Sequence, residues 1–340
     1  MDIKARMEHY NVPGLSITLI EGGQISLTEN YGLLEGGSNK DVKTNSLFNA
    51  CSISKYLTGI LVMKLSDQGL LDLDEDVNNR LVSWKVPVNE FTKNKRVTLR
   101  NLLSHQSGII DPRDSFTELN PNISIPSMIE LLNGKTSYCK EPIEVKYEPG
   151  SEFHYSDAGF CIIQILIEDV TKKPFSQIVN EFIFEPLKMV NSTFDVKISD
   201  TKIENYSCGH NKNGELVEGN YPIYPYPAAS GLWTTSSELA LLVLELMNTL
   251  KGESTIGISA SKAKEMLQPQ GGREWTGLGV FLNGAGKELE ISSLGWGVGY
   301  QCMMAAFPHL EKGVIIMTNA ELGVHQKEGI IGEIYQSLSY

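Results

Sequence analysis

Ser46-Leu47-Phe48-Asn49-Ala50-Cys51-Ser52-Ile53-Ser54-Lys55 sets a serine three residues ahead of a lysine where a long apolar segment begins. Beyond it, Leu57, Ile60, Leu61, Lys64 and Leu65 recur at helical spacing, and Gln68-Gly69 ends the pattern. Positions i and i+3 share one helix face, so the Lys55 amine stands beside the Ser52 hydroxyl. A serine hydroxyl needs an adjacent base to become a competent nucleophile. Lysine serves when burial draws its pKa from about 10.4 into the neutral range. A residue at a helix start also keeps its backbone N–H free to face an oxyanion. Spacing alone does not single out this pair. Ser137/Lys140, Ser199/Lys202, Ser259/Lys262 and Ser261/Lys264 share it, and an ordinary helix start with a surface lysine reads the same way.

Outward from this segment the chain changes character twice. Leu15–Ile20 and Ile25–Asn30, joined by Glu21-Gly22-Gly23-Gln24, read as a hairpin. The middle reads as helices over Leu99–Leu103, Met128–Leu132, Phe160–Val170, Phe175–Phe182 and Ser236–Leu250. Strands return at Tyr300–Phe307 and Val314–Thr318, followed by an amphipathic helix over Lys327–Leu338. The pattern predicts an α+β fold: an antiparallel sheet built from the N- and C-terminal segments, flanked by helices, with a mostly helical region inserted. The expected division is a sheet domain from 1–58 and 245–340, a helical domain from 59–244, and an active site at their junction. Pocket size then depends on the loops Ile109–Ser127 and Tyr221–Ala229.

Composition narrows the classes. The 340 residues are 41% hydrophobic and 21% charged, enough apolar mass for a sizeable core. A net charge of −12 repels a phosphate backbone, and the basic stretch Lys93–Arg100 reads as solvated surface, so nucleic acid is not an expected partner. No apolar run approaches the roughly 18 residues of a membrane span. Met1-Asp2-Ile3-Lys4-Ala5-Arg6 does not open a secretory signal, and the odd number of scattered cysteines suggests neither a disulfide framework nor a metal knuckle. The expected location is therefore the cytoplasm, although an exported chain trimmed of its leader would look the same. His9, His210, His309 and His325 lack ligand spacing, so no metal or other cofactor is expected. Gly-x-Ser-x-Gly is absent, which removes the usual α/β-hydrolase reading.

Further segments, in order, carry a resemblance. They are Val12-Pro13-Gly14-Leu15-Ser16, Tyr31-Gly32, Ser46 through Lys55, Gln68-Gly69-Leu70-Leu71-Asp72-Leu73-Asp74 and Leu102-Leu103-Ser104-His105-Gln106-Ser107-Gly108. Pro149-Gly150, Tyr155-Ser156-Asp157 and Ser230-Gly231-Leu232-Trp233-Thr234-Thr235 complete the set. Together they resemble the serine β-lactamase and penicillin-binding-protein-like family, specifically its class C-related esterases and D-amino-acid peptidases. The resemblance implies Ser52 as acylating nucleophile, Lys55 as its partner and Tyr155 as a proton carrier. A nearby ammonium should pull the Tyr155 phenol down toward phenolate. His105 reads as a structural hydrogen-bonding residue.

Two departures redirect the expected task. The family's Tyr-x-Asn is Tyr155-x-Asp157 here. An ionised aspartate only accepts, holds Lys55 as ammonium and cannot donate to a substrate amide carbonyl. The family's Lys-Thr-Gly or His-x-Gly is absent, and the corresponding place reads Gly295-Trp296-Gly297-Val298-Gly299-Tyr300. An indole offers apolar surface and one N–H but no pairing for a carboxylate. Trp296 and Gly297 are therefore expected to line the substrate, and Gly299 N–H to be the second oxyanion donor. The expectation is a serine hydrolase acting on a small ester. A D-amino-acid peptidase or penicillin-binding carboxypeptidase is the close alternative, and a non-catalytic binding or sensor protein the alternative of another class. The partner is a small-molecule ester or peptide, and the oligomeric state stays open.

Overall fold

Gly22 and Gly23 both adopt positive φ, 58° and 71°, and turn the chain tightly between β1 (Gly14–Glu21) and β2 (Gln24–Gly32). The computed structural model describes residues 1–119 and 122–338, so residues 120 and 121 of the Ile109–Ser127 loop lie outside it. Two short strands, β3 (Phe48–Asn49) and β4 (Trp233–Thr234), pair with each other. The C-terminal part adds β5 (Phe281–Asn283), β6 (Glu290–Gly297), β7 (Tyr300–Phe307) and β8 (Lys312–Thr318). The main sheet runs β2-β1-β8-β7-β6-β5 and is antiparallel throughout, so β1 from one chain end lies against β8 from the other. The expected α+β architecture is present.

Both faces of this sheet are covered, which is why β1, β7 and β8 are nearly continuously buried. On one face Leu15, Ile17, Met303, Val314 and Ile316 pack with Met7 of α1 (Ile3–His9) and with Ile330, Ile331 and Ile334 of α11 (Ile330–Ser337). Ile20, Met304, Ile315 and Met317 join the larger core, which includes α2 (Ser54–Asp67). Buried on nearly every side, α2 behaves as a central helix. Gly69 ends it with a φ of +73°. Around it lie α3 (Leu99–Leu103), α4 (Met128–Leu132), α5 (Asp157–Thr171), α6 (Phe175–Val179), α7 (Glu185–Leu187), α8 (Pro227–Ser230), α9 (Ser236–Leu250) and α10 (Ala260–Met266). Helix α9 is fastened to the sheet at its start, where Ser236 Oγ shares hydrogen bonds with Ser16 Oγ (2.7 Å) and Thr18 Oγ1 (2.8 Å).

Among the expected elements, three differ in their bounds. The helix expected over Phe175–Phe182 opens into a π turn at Asn180–Phe184. The last helix starts at Ile330, not Lys327, because Gln326–Glu328 forms a 3-10 turn and Gly329 is extended. Strand β6, expected around Gly295–Tyr300 as the strand edging the site, instead spans Glu290–Gly297. Its buried positions are Ile291, Ser293 and Gly295, so burial alternates without an apolar alternation in sequence. Among the described residues no helix is long and apolar enough to cross a membrane, and no cluster of His, Cys, Asp and Glu could hold a metal.

Candidate active site

Asn49 starts the turn that carries Ser52. Its Oδ1 accepts from Cys51 N–H at 2.9 Å and helps hold Cys51 at a φ of +49°, a left-handed conformation that a cysteine adopts only under constraint. Ala50 N–H donates to Leu232 O (2.9 Å), Ser54 Oγ donates to Cys51 O (2.6 Å), and Leu232 N–H donates to Ser54 Oγ (3.0 Å). The segment Ser230–Thr235 thus splints the nucleophile turn. Ser52 lies in the first turn ahead of α2, where backbone N–H groups lack intrahelical acceptors.

One turn on, Lys55 is 3% exposed and its ammonium is surrounded by acceptors: Ser52 Oγ at 3.2 Å, Asp157 Oδ1 at 2.6 Å and Ala229 O at 3.0 Å. The nitrogen also lies 4.8 Å from the Tyr155 ring centre. Burial pushes Lys55 down, but the Asp157 and Tyr155 oxygens outweigh it and hold the amine above its ordinary range. Lysine is therefore a fixed cation here, as the Asp157 reading expected.

Tyr155 is corrected in one respect. Burial raises its phenol above the ordinary value and outweighs the lowering by the nearby Lys55 ammonium and Ser52. At neutral pH it is a phenol, not the phenolate expected from the ammonium alone. The residue is 42% exposed. The His105 ring stacks on it at 4.4 Å between centres, and His105 Nδ1 accepts from Ser156 N–H at 3.1 Å. Burial, aided by the Lys55 charge, pushes His105 down to about 3, so the imidazole is neutral. It is a scaffold for Tyr155.

Asp111 is a site residue that sequence reasoning missed. Its carboxylate accepts from Ser156 Oγ (2.7 Å), Asp157 N–H (2.8 Å) and Ala158 N–H (3.1 Å), capping α5 and fixing the turn that presents Tyr155 and Asp157. Burial first, then the Asp157 charge, pushes Asp111 up to about 6. No local spacing marks it, because its partners lie some 45 residues away in the chain.

The glycine-rich strand corrects the expected register. A Cβ at Gly295 would lie 2.3 Å from Ala50 O, and one at Gly297 would lie 2.4 Å from Tyr224 Oη, so these glycines let β6 pack on the nucleophile turn. Gly299 is not an oxyanion donor: its N–H donates to Glu321 Oε1 at 3.0 Å, and Val298 N–H donates to Tyr224 Oη at 2.9 Å. Pairing with β5 stops at Ser292, which leaves the following β6 edge open. Gly297 and Tyr300 close the hairpin, so their peptide groups face each other. Ladder alternation then turns the Trp296 N–H and C=O outward to the open edge. Gly297 packs behind the strand and does not line the cavity.

Together these groups enclose a cavity of about 330 Å³ lined by Ser52, Lys55, Tyr155 and His105, by Leu103, Val280, Phe281 and Leu294, and by Ser293, Trp296, His325 and Gln326. Lys55 is its only lysine or arginine among the described residues. Ser293 of β6 also lines it and is uncharged. Trp296, 53% exposed, stands at the rim.

The family described as Beta-lactamase matches residues 2–331. Penicillin-binding protein 4* of Bacillus subtilis (strain 168) is 25% identical over 335 residues, covering 93% of this chain and 70% of its own length. Protein flp of Staphylococcus aureus (strain MW2) is 26% identical over 238 residues, 69% of this chain and 44% of its own; the chain thus spans less than half of that relative. Among solved structures, the octameric penicillin-binding protein homologue from Pyrococcus abyssi superposes with a TM-score of 0.79 at 21% identity, over 98% of this chain and 76% of that one. D-alanine carboxypeptidase AmpC from Burkholderia cenocepacia gives 0.73 at 18% identity, over 99% and 97%. These two likenesses speak to the fold. With the family matched over nearly its whole length, the chain belongs to the β-lactamase family of serine hydrolases.

Proposed function

We propose that the protein hydrolyses small neutral esters through an acyl-enzyme at Ser52. The carrying observation is the state of the cavity's charge. Its one lysine is committed to Asp157 at 2.6 Å, and the strand edge offers Ser293 and Trp296 in place of a second cation. A substrate carboxylate would find no free permanent cation, whereas an acyl chain would find Leu103, Val280, Phe281 and Leu294.

The proton path follows from the protonation states. Ser52 Oγ bonds to the acyl carbon while its proton passes to Tyr155 Oη. In the same step the phenol proton passes to the ester oxygen of the leaving group, whose C–O bond then breaks to release the neutral alcohol, so Tyr155 stays neutral throughout. Water reverses the path in deacylation. Lys55 keeps its charge beside the developing alkoxide, and the Ser52 and Trp296 N–H groups face the oxyanion.

The names of relatives favour a second reading, action on D-amino-acid peptides. Asp157 argues against it, because a carboxylate repels the amide carbonyl that an asparagine would bind. Kinetics on p-nitrophenyl esters and D-aminoacyl amides separate the two; amide turnover equal to ester turnover would overturn the ester reading. A fluorophosphonate probe that leaves Ser52 unlabelled in folded protein would favour a non-catalytic binding role.

A further inference from the structure

Large aromatic side chains ordinarily turn their faces into the core, since each one buried withdraws a wide apolar area from water. Trp84 and Trp233 do so here, whereas Trp275 is 50% exposed and Trp296 53%. Among the described residues the exposed large aromatics are these two and Tyr155, and all three gather at the Ser52 cavity. Tyr155 and Trp296 line it, and Trp275 directly precedes Thr276, which lines it too. The rings form two sets. Tyr155 stacks on His105, and Phe281 lies nearly parallel to His105 at 6.4 Å. Phe153 meets His105 at 5.7 Å and Trp275 at 6.0 Å, both edge-on, so this row runs from the nucleophile out to an exposed indole. In the second set Trp296 stands edge-on to His325 at 6.2 Å, and both line the cavity. None of Tyr155, Phe281 and Trp296 is fully buried, and they share one space of about 330 Å³, in which a ligand of phenyl-ester size meets both sets.

We propose that this cavity is built for an ester whose acyl chain ends in an aromatic ring, with Phe281 and Trp296 as the residues that select it. The inference rests on the ester-hydrolase reading, which gives the cavity to the acyl chain, and narrows that chain from apolar to aryl. Ring against ring adds an offset-stacked or edge-to-face attraction beyond the area buried, and a saturated ring cannot supply it. A cyclohexyl group carries more apolar surface than a phenyl group, so burial alone would favour the saturated ester. A preference for phenyl therefore reports the aromatic walls and not hydrophobicity.

The test compares ethyl 3-phenylpropanoate with ethyl 3-cyclohexylpropanoate, which share leaving group, chain length and ring size, by titrating the acid released. The wild-type enzyme is expected to favour the phenyl ester by roughly three- to tenfold in kcat/KM. Trp296→Leu and Phe281→Leu keep apolar bulk but remove a ring, and each should bring the ratio toward one. Fluorophosphonate labelling of Ser52 counts the competent sites in each variant, so a misfolded fraction does not enter the ratio. Equal handling of the two esters by the wild type, a preference for the cyclohexyl ester, or a phenyl preference that survives in both leucine variants overturns the assignment. Should one leucine variant not fold, the other decides. If Ser52 proves unreactive, the hydrolase reading fails on its own, and calorimetry of the two esters on the same protein still decides whether the cavity prefers the aryl chain.

Discussion

Lys55 Nζ lies 2.6 Å from Asp157 Oδ1, and this pair sets the protonation of the whole site. The lysine is buried and the aspartate side chain only 22% exposed, so the attraction is weakly screened. With the ammonium fixed, neither Lys55 nor the Tyr155 phenol is a resting base, and the proton must move through Tyr155 in one relay.

Asp157→Asn removes the charge that holds Lys55 up, leaving burial to push the amine down. Lys55 should then titrate within the accessible range, and the amide side chain can donate to a substrate carbonyl. The expected result is a new ionisation in the kcat/KM profile for p-nitrophenyl esters and faster acylation by amides or β-lactams, followed by intact mass. Unchanged profiles and unchanged acylation would remove Asp157 from the specificity argument.

Tyr155→Phe keeps the ring against His105 but deletes the relay atom. It should lower kcat by roughly a hundredfold or more with KM nearly unchanged. A drop confined to KM would show that the hydroxyl binds substrate and carries no proton.

Asp111 gives a stability prediction with a definite sign. Its folded value of about 6 lies above the ordinary 3.8, so the fold favours the protonated form. Its contribution is therefore fully present below pH 3.8 and is lost as pH rises through 6. Urea unfolding of wild type and Asp111→Asn at a series of pH values should show the wild type losing ground by about 2 kcal/mol between pH 4 and 7. A difference independent of pH would mean that Asp111 does not titrate in that window.

Gly295→Ala puts a methyl group 2.3 Å from Ala50 O, a backbone atom held by the nucleophile turn. Strand β6 must shift, which should cost about 1–3 kcal/mol and slow fluorophosphonate labelling of Ser52. Normal labelling and stability in this variant would show that β6 does not set the position of the turn.

Strand β1, the central helix α2 and the strands β7 and β8 were legible because their apolar runs match their near-continuous burial. Ser52, Lys55, Tyr155 and Asp157 were legible as motif positions, and the structure brings them together. The third motif misled because Gly295, Gly297 and Gly299 look alike in sequence. Only the approach of Gly295 to Ala50, and the capture of Gly299 N–H by Glu321, distinguish packing glycines from a donor. Asp111 escaped for a different reason. It acts on backbone groups tens of residues away, and a single carboxylate carries no periodic signal.

The Ser230–Thr235 splint on the nucleophile turn has a kinetic consequence. Leu232 N–H reaches Ser54 Oγ across 178 residues, and Gly295 meets Ala50 across a still longer stretch. Such contacts form only after large loops have closed, late in the assembly of a chain of high contact order. Burst labelling during refolding should therefore lag behind helix formation seen by circular dichroism. A nascent or partly folded chain carries Ser52 as an ordinary hydroxyl, and reactivity arrives only with the finished molecule.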